Sequence, residues 1–296
     1  IVALKMKGER AQEVAGFVQS MRRHAIKVSV NDPHAVDGCG TGGDGSDSFN
    51  ISTAASIVAC AAGVTVAKHG NRSVSSKCGS ADLLEACKGN IDPGPEVVKK
   101  NIDEIGFGFM FAPRFHPAMK HAMAPRKELG VRTVFNILGP MTNPASVKRQ
   151  VIGVYDRKLL PLVADVMEMT GSTHVVVAHS HDGMDEFSVS APTDYMEVKD
   201  GSRRQKTFHP EDAAITTYGA KSLVGGDAER NVVILRKTLD GDRSPYTDAI
   251  ILNAGAMIYV AGRAGSIREG SQIARKAIET GAAKSKLEEW IKASNS

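Results

Sequence analysis

The sequence lacks three features that would define its class at once: cysteines at metal-binding spacing, a long apolar run and an excess of charge of one sign. Its four cysteines show no C-x-x-C spacing, so we expect reduced, half-buried thiols in a cytoplasmic protein. No apolar run approaches the length needed to span a membrane. The formal net charge of +4 is too small and too dispersed to imply nucleic-acid binding.

The remaining composition is that of an ordinary globular protein, with 42% hydrophobic and 24% charged residues. Aromatic residues are sparse, at 5%, with a single tryptophan. A length of 296 residues suits one large domain, or a large domain and a small one. The chain starts at Ile1 without a charged-then-apolar signal pattern, so we expect a shortened N-terminus rather than secretion.

The most informative segment is Asp37–Asp44, where four glycines fall within six residues. Such dense glycines let the backbone adopt positive φ and let a ligand approach bare N–H groups. An apolar, Ala-rich helical pattern follows from Ser52 to Ala62, and its N-terminus offers unpaired donors and a positive dipole end. Asn50, Ser52 and Thr53 add side-chain donors at the same point. The segment predicts a phosphate-binding loop.

This loop matches neither of the two best-known phosphate-binding patterns. A Walker loop ends in Gly-Lys-Ser/Thr, whereas Asp44 follows the last paired glycine here. The dinucleotide pattern G-x-G-x-x-G can be placed on Gly38–Gly43, but it then ends several residues before the helix. A glycine-rich turn of purely structural role stays possible at this point.

Strand and helix patterns alternate along the chain. Short apolar strands are expected at 35–37, 64–67, 151–155 and 174–179, with helices between and after them. Strands that alternate with crossover helices predict an α/β fold with a mainly parallel central sheet, flanked by helices on both faces.

A donor-rich run follows the second expected strand, from Lys68 to Lys77. It holds two lysines, an arginine, an asparagine and three serines, a set suited to an oligophosphate. In open α/β sheets, ligands bind beyond the carboxyl ends of strands, where this run should lie. Ser80 then stands near the start of another helix, a further phosphate-compatible terminus. A solvated basic loop is the alternative interpretation.

Adjacent carboxylates, Asp185 and Glu186, follow the strand that ends near His179. Magnesium takes one or two protein carboxylates, several waters and substrate phosphate oxygens, so the pair suits this ion beside a phosphate loop. Alone, an Asp-Glu pair on a loop is more often simply solvated, and the neighbouring phosphate loop is what favours a metal. His179 and His181 could suggest zinc, but no cysteine or third histidine lies at ligand spacing.

Basic side chains form a third cluster. Arg126 and Arg132 could each bind a carboxylate through two parallel hydrogen bonds, or could be surface arginines on a helix. They lie between the segment Phe115–Met119 and the segment Asn136–Pro140.

Together these clusters resemble the anthranilate phosphoribosyltransferase family of tryptophan biosynthesis. The matching motifs stand in order, at family-like separations, and cover nearly the whole chain. They are Gly40–Asp44, Asn50–Thr53, Lys68–Ser76, Phe115–Met119, Arg126 with Asn136–Pro140, and Asp185–Glu186. One departure is Ser48, where the family usually has threonine; the hydroxyl is kept.

The resemblance implies a large α/β domain and a small all-helical domain. The helical domain would comprise residues 1–30 and 94–130, and the large domain, which binds the phosphoribosyl donor, residues 31–93 and 131–296. It also implies a homodimer formed through the helical domain, and family members have helices before the point that is Ile1 here. Neither nucleic acid nor a membrane is an expected partner.

The resemblance also implies the substrates, anthranilate and phosphoribosyl pyrophosphate, and their sites. Donor-binding residues would be Gly40, Gly43, Asp44, Ser48, Asn50, Ile51, Ser52, Thr53, Lys68, His69, Gly70, Asn71, Arg72, Ser73, Val74, Ser75, Ser76 and Ser80. Anthranilate-binding residues would be Gly40, Asn71, His116 and Arg126. Magnesium, as one or two ions, would bind at Ser52, Asp185 and Glu186.

The expected chemistry is positioning and charge neutralisation. Lys68 and Arg72 would stabilise negative charge on the departing pyrophosphate by preorganised electrostatics. An arylamine is neutral at pH 7 and can attack without prior deprotonation, so no residue is assigned as a certain catalytic base. His69 or His116 could relay the proton late.

Two other functions are compatible with the same architecture. A pyrimidine-nucleoside phosphorylase would run related chemistry with free phosphate, although Asp185–Glu186 and the Phe115–Pro117 segment argue against it. A non-catalytic relative that binds nucleic acid would not need both a complete donor loop and a metal pair.

Overall fold

The computed structural model describes residues 1–73, 77–219 and 221–296. Their strands form one seven-stranded sheet in the order β3-β2-β1-β4-β5-β6-β7. The strands are β1 (Val36–Gly40), β2 (Val66–Gly70), β3 (Phe107–Phe111), β4 (Arg149–Gly153), β5 (His174–Ser180), β6 (Thr193–Lys199) and β7 (Ser202–Phe208). β1 to β5 pair in parallel, and β6 and β7 extend the sheet in antiparallel fashion. The predicted mainly parallel α/β sheet is confirmed.

Helices cover both faces of the sheet. They are α1 (Val2–Lys7), α2 (Ala11–His24), α3 (Ile51–Ala61), α4 (Ser80–Ala86), α5 (Pro95–Ile105), α6 (Ala112–Phe115), α7 (Lys120–Leu129), α8 (Phe135–Met141), α9 (Leu159–Met169), α10 (Ala228–Leu239), α11 (Pro245–Val260), α12 (Ile267–Glu279) and α13 (Ala282–Ser294). Short 3₁₀ turns occur at Pro117–Met119 and Pro210–Ala213. Among the described residues, no helix is long and apolar enough to cross a bilayer.

The central strands are buried on both faces, as parallel strands under helices must be. In β5, Val176 and Ala178 pack into the core beneath α3 and α11, whereas Val175 and Val177 pack into the core beneath α2, α8 and α9. Because side chains alternate along a strand, each strand contributes to two separate cores. This two-sided burial fixes the register and holds the carboxyl ends of β1, β2, β4 and β5 at one edge.

Arg22 fastens α2 to the α/β core. Its Nε donates to the carbonyl of Met141 at 3.0 Å, and one of its terminal nitrogens donates to the carbonyl of Thr170 at 3.4 Å. Both carbonyls lie at helix C-termini, where the macrodipole is negative and a guanidinium is stabilising. Residues 11–24 are thus packed on α8 and α9 rather than held by the chain alone.

The expected division into two domains stays a prediction. Within the 94–130 segment, residues 107–111 form β3, which pairs with β2 along its whole length as the edge strand of the sheet. That part of the segment belongs to the α/β layer, and α7 lies beyond it with none of its side chains buried.

Candidate active site

Three predicted segments, the glycine loop, the donor-rich run and the acidic pair, follow the carboxyl ends of parallel strands at one edge of the sheet. β1 leads into the glycine loop, β2 ends at Gly70 within the donor-rich run, and β5 precedes Asp185–Glu186. Strand order reverses between β1 and β4, which is where open α/β sheets bind ligands. A cavity at this point is lined by Gly38, Ser52, Gly153, Asp185 and Glu186, with apolar walls.

The glycine loop closes directly onto Asp185. The N–H of Gly42 donates to Oδ2 of Asp185 at 2.7 Å, and the N–H of Asp185 donates to Oδ2 of Asp44 at 3.3 Å. A Cβ added at Gly40 would lie 2.9 Å from the Asp185 carboxyl carbon, and one at Gly153 would overlap the Asp185 carbonyl oxygen. Both glycines are therefore required by close approach of the acidic segment.

Glu186 meets the first turn of α3. Its Oε1 accepts the N–H of Ser52 at 3.2 Å, so a carboxylate occupies a donor that the sequence assigned to phosphate. A negative group at a helix N-terminus is electrostatically favourable. The glycine loop, the N-terminus of α3 and the acidic pair are thus joined directly by hydrogen bonds.

The two acidic side chains repel each other in a poorly solvated place. Burial, with the nearby charge of Asp44, raises the pKa of Asp185 to about 7. Burial, with the charge of Asp185, raises the pKa of Glu186 to about 8. A divalent cation would relieve this repulsion, and the oxygen-only donors suit a hard ion such as Mg²⁺. In the described part of the chain, no group of three or more His, Cys, Asp or Glu residues is placed to hold a metal, so substrate and water would complete the coordination.

β2 contributes a buried lysine and a buried histidine. Lys68 is 1% exposed, and its Nζ donates to the carbonyl of Gly38 at 2.7 Å. His69 directs Nδ1 to the carbonyl of Gly139 at 3.2 Å, and its ring lies edge-on to that of His116 with centroids 5.0 Å apart. Within the described residues, Nε2 of each histidine is buried without a hydrogen-bond partner.

Both imidazoles are neutral at pH 7. Burial, together with the neighbouring His116, lowers the pKa of His69 to about 3. Burial alone lowers the pKa of His116 to about 4. A buried polar atom without a hydrogen-bond partner is unusual, so these two ring nitrogens are candidates for bonding to a ligand or water.

Comparison with known proteins decides the family. The family model described as "Glycosyl transferase family, a/b domain" matches residues 32–284. The chain is 50% identical to the anthranilate phosphoribosyltransferase of Thioalkalivibrio sulfidiphilus, over 98% of this chain and 86% of that protein. It is 48% identical to that of Desulfatibacillum aliphaticivorans, over 99% and 86% of the two chains. The chain belongs to the anthranilate phosphoribosyltransferase family.

Solved structures of the anthranilate phosphoribosyltransferase family share the fold. The enzyme from Thermus thermophilus superposes with a TM-score of 0.94 at 41% identity, covering 100% of this chain and 88% of that one. The Saccharomyces cerevisiae enzyme, solved in complex with PRPP and Mg, gives 0.89 at 29% identity, covering 97% and 80%. The family and fold class expected from the sequence are confirmed.

Arg72, expected at the leaving pyrophosphate, is engaged elsewhere. Its guanidinium pairs with Asp82 at 2.9 Å and Glu85 at 2.7 Å, both on α4, and lies 5.8 Å from the Phe111 ring centroid. Asn71 accepts the Arg72 N–H through Oδ1 at 2.7 Å. Arg72 would have to exchange two carboxylates for phosphate to act as predicted.

The rest of the donor-rich run packs against the start of α4. The N–H of Ser73 donates to Oδ2 of Asp82 at 3.0 Å, and Oγ of Ser80 donates to the Asn71 carbonyl at 3.1 Å. A Cβ at Gly70 would overlap Oγ of Ser80. The predicted donor residues Val74, Ser75 and Ser76 lie outside the described residues.

The Asn50–Thr53 motif contributes mainly backbone to the site. Ile51 and Thr53 are each 1% exposed and pack into the core. Asn50 donates through Nδ2 to the Cys78 carbonyl at 2.9 Å and accepts from Asn231 at 2.9 Å, so its amide joins three chain segments. The predicted Ser48 lies in the loop ahead of this motif, its N–H bonded to Oγ of Ser46 at 3.3 Å.

Two arginines face the glycine loop and α8. Arg126 lies 5.3 Å from the Phe135 ring centroid, and partial burial lowers the pKa of its guanidinium. Arg132 stacks on Tyr155 at 4.2 Å and donates to the Gly43 carbonyl. The sequence suggested either arginine as a carboxylate clamp; in the structure Arg132 contacts the glycine loop at Gly43, whereas Arg126 packs on Phe135 of α8.

Sequence reasoning missed buried amides that support the site. Asn253 bonds both backbone groups of Phe187, at 3.0 Å to the N–H and 2.8 Å to the carbonyl, and so fixes the residue after Glu186. The sequence did carry a signal for this contact: Asn253 lies within the mostly apolar helix α11. A buried side-chain amide needs hydrogen-bond partners, so its position indicated a structural contact.

Proposed function

We propose that this chain transfers the phosphoribosyl group of phosphoribosyl pyrophosphate to the amine of anthranilate, releasing pyrophosphate, as a step of tryptophan biosynthesis. The observation that carries the proposal is the direct bonding of the glycine loop and the α3 N-terminus to buried Asp185 and Glu186. This joins backbone phosphate donors and metal-binding carboxylates at one point. Relatives at about half identity over nearly the whole chain are named for this reaction.

The donor's diphosphate would bind to backbone N–H groups of the glycine loop and α3, with Lys68 as the buried cation. Gly42 and Ser52 already donate to the acidic pair, so a cation that draws those carboxylates would free the N–H groups for phosphate. Gly42 and Gly43 have positive φ, 65° and 75°, and a Cβ added at Gly42 would meet nothing within 4 Å, so a ligand could approach the loop backbone there.

Magnesium fits Asp185 and Glu186, with the Ser52 hydroxyl as a further oxygen ligand, as one or two ions. When bound, Mg²⁺ would neutralise charge that builds on the leaving pyrophosphate. The Saccharomyces cerevisiae relative is described in complex with PRPP and Mg. In this chain burial and a neighbouring carboxylate, Asp44 for Asp185 and Asp185 for Glu186, raise the pKa values of both groups, which supports the need for a counter-cation.

Anthranilate would lie between the glycine loop, Arg126 and the two histidines. Arg126 would bind its carboxylate, and Asn71 and the Gly40 backbone would contact its ring and amine. His69 and His116 are neutral, so they can accept or donate a hydrogen bond without repelling the cationic transition state. Because the arylamine attacks unprotonated, the residues position it rather than deprotonate it.

The assembly would be a homodimer formed through the helical segments 1–30 and 94–130. Its support is apolar surface on those helices: Met6 of α1 is 83% exposed, Met123 of α7 is 64% exposed and Phe17 of α2 is 39% exposed. Sedimentation of the parent as a dimer, and of a Met6→Glu/Phe17→Glu variant as a monomer, is the expected result. A monomeric parent would contradict it.

The transfer itself is tested by mixing the chain with anthranilate, phosphoribosyl pyrophosphate and Mg²⁺ and following the loss of anthranilate fluorescence. We expect loss that requires all three components and releases one pyrophosphate per anthranilate consumed. Phosphorolysis of thymidine or uridine without transfer to anthranilate would instead support the phosphorylase alternative and overturn the proposal.

A further inference from the structure

Strands β1 and β2 are neighbours in the sheet but are joined at only one register position in the described chain, Val36 opposite Val66. By contrast, β1 pairs with β4, and β2 with β3, along their whole lengths. The facing backbone groups of β1 and β2 beyond Val36 are therefore not joined by an ordinary ladder. They are buried, so they need other partners.

Three buried side chains supply those partners. Oδ1 of Asp37 accepts the N–H of His69 at 3.3 Å, and Nδ2 of Asn143 donates to the Ala67 carbonyl at 2.9 Å. The Lys68 ammonium donates to the Gly38 carbonyl at 2.7 Å. Side chains thus hold the strands apart, and one of them is a lysine expected to bind the donor.

Asp37 and Asn143 form the centre of this arrangement. Nδ2 of Asn143 donates to Oδ2 of Asp37 at 2.8 Å, and both residues are fully buried. Oδ1 of Asn143 accepts the N–H of Ala145 at 2.8 Å, which fixes the direction of the amide. Every oxygen of the Asp37 carboxylate therefore has a donor, as a buried charge requires.

Lys68 and Asp37 are opposite charges in the same dry interior. Burial raises the pKa of Asp37 to about 6, against the opposing influence of the Lys68 charge and the Asn143 hydrogen bond. The Lys68 ammonium bonds the carbonyl of Gly38, the residue after Asp37, and Asp37 accepts the N–H of His69, the residue after Lys68. Two hydrogen bonds thus tie Lys68 and the residue after it to Asp37 and the residue after it, across the gap between β1 and β2.

We propose that Asp37, oriented by Asn143, is a positioning residue of the donor site: through the backbone N–H of His69 it positions the preceding residue, Lys68, whose ammonium bonds the Gly38 carbonyl. The proposal rests on the proposed function, since it needs Lys68 to bind the phosphoribosyl donor. Neither residue was among the site residues that the sequence indicated. Asp37 acts through Lys68 and does not touch the substrate itself.

The test is the Asp37→Asn variant, which keeps size and removes charge. We expect its KM for phosphoribosyl pyrophosphate to rise about tenfold, the effect of one hydrogen bond to a charged group, with the anthranilate KM within about twofold of the parent. The matched control is Glu197→Gln, another buried carboxylate that bonds His174, Lys206 and Tyr259 away from this edge. Its donor KM should be unchanged.

A double-mutant cycle separates positioning from general destabilisation. In a Lys68→Met background, Asp37→Asn should change the donor KM by less than about twofold, because its route of action is already gone. If Asp37→Asn does not fold, Asn143→Ala is the second variant, since it keeps the Asp37 charge. It should raise the KM for phosphoribosyl pyrophosphate when Lys68 is present and leave it within about twofold in the Lys68→Met background.

Three results would overturn the proposal. The first is a KM for phosphoribosyl pyrophosphate within twofold of the parent in the folded variants, and the second is an equal rise of the KM values for both substrates. The third is the same rise in the donor KM when Lys68 is already replaced by methionine. A parent enzyme without transfer activity would instead contradict the proposed function. The two failures are therefore distinguishable.

Discussion

Replacing Gly40 by alanine tests how closely the glycine loop and the acidic pair are packed. An added Cβ would lie 2.9 Å from the Asp185 carboxyl carbon and closer still to Oδ2, whereas ordinary contact begins at 3.4 Å. The carboxylate would have to move by about 1 Å, and a displacement of about 1 Å at a reacting site costs about a hundredfold in rate. Rotation alone gives little relief, since Oδ2 is held by the Gly42 N–H.

We therefore expect Gly40→Ala to lower kcat/KM about a hundredfold and to raise the Mg²⁺ concentration needed for half-maximal rate. Initial rates from anthranilate fluorescence, over a magnesium titration, measure both quantities. The control is Gly16→Ala in α2, where an added Cβ meets nothing within 4 Å. It should leave the rate unchanged. A folded Gly40→Ala enzyme with kcat/KM within twofold of the parent would refute the packing argument.

Three other outcomes are expected. Replacing Asp185 and Glu186 by alanine should lower kcat about a thousandfold, because a bound metal ion contributes several kcal/mol; full activity in this variant would end the metal assignment. Arg126→Ala should raise the anthranilate KM about tenfold or more if it binds the carboxylate, and an equal rise for the donor would point to a fold defect instead. Hydrogen bonds, chiefly from His174, hold the pKa of Glu197 well below its usual value. The free energy that ionised Glu197 contributes to folding is therefore present above about pH 4.3, the pKa of an unfolded glutamate. It is lost as the pH falls through the lower pKa that Glu197 has in the folded protein. In urea titrations, Glu197→Gln should therefore make the free energy of unfolding fall less steeply as the pH is lowered below about 4.3. An unchanged fall in this pH range would contradict the prediction.

Much of the α/β layer could be predicted from the sequence, because β1, β2, β4 and β5 begin in short apolar runs between helical patterns. β3 was missed because Phe107–Phe111 is buried on both faces, so it has no alternation to separate it from a helix end. The segment was expected in the helical domain because the family resemblance implied it.

The β6–β7 hairpin was missed although its turn carried a signal. Asp200 and Gly201 both have positive φ, 49° and 75°, as a two-residue hairpin turn requires. The charged strand β7, Ser202–Phe208, has almost no buried side chain and so no hydrophobic pattern. Its pairing with β6, not its own sequence, makes it a strand.

At the site, the sequence indicated which segments would meet but not how their side chains pair. Arg72 turns to Asp82 and Glu85 because they lie within reach across ten and thirteen residues of folded chain. Asp37 and Asn143 are brought together from 106 residues apart, a contact that only the assembled sheet creates. Long-range pairing of polar side chains has no local pattern from which to infer it.

Calorimetric titration of phosphoribosyl pyrophosphate into the folded chain, with Mg²⁺ present, tests the central claim most directly. Saturable binding is expected, and it should be lost when Asp185 and Glu186 are replaced by asparagine and glutamine in a variant that keeps its circular dichroism spectrum. Absence of binding to the folded parent, or equal affinity in that variant, would contradict a donor site built from the glycine loop, α3 and the acidic pair.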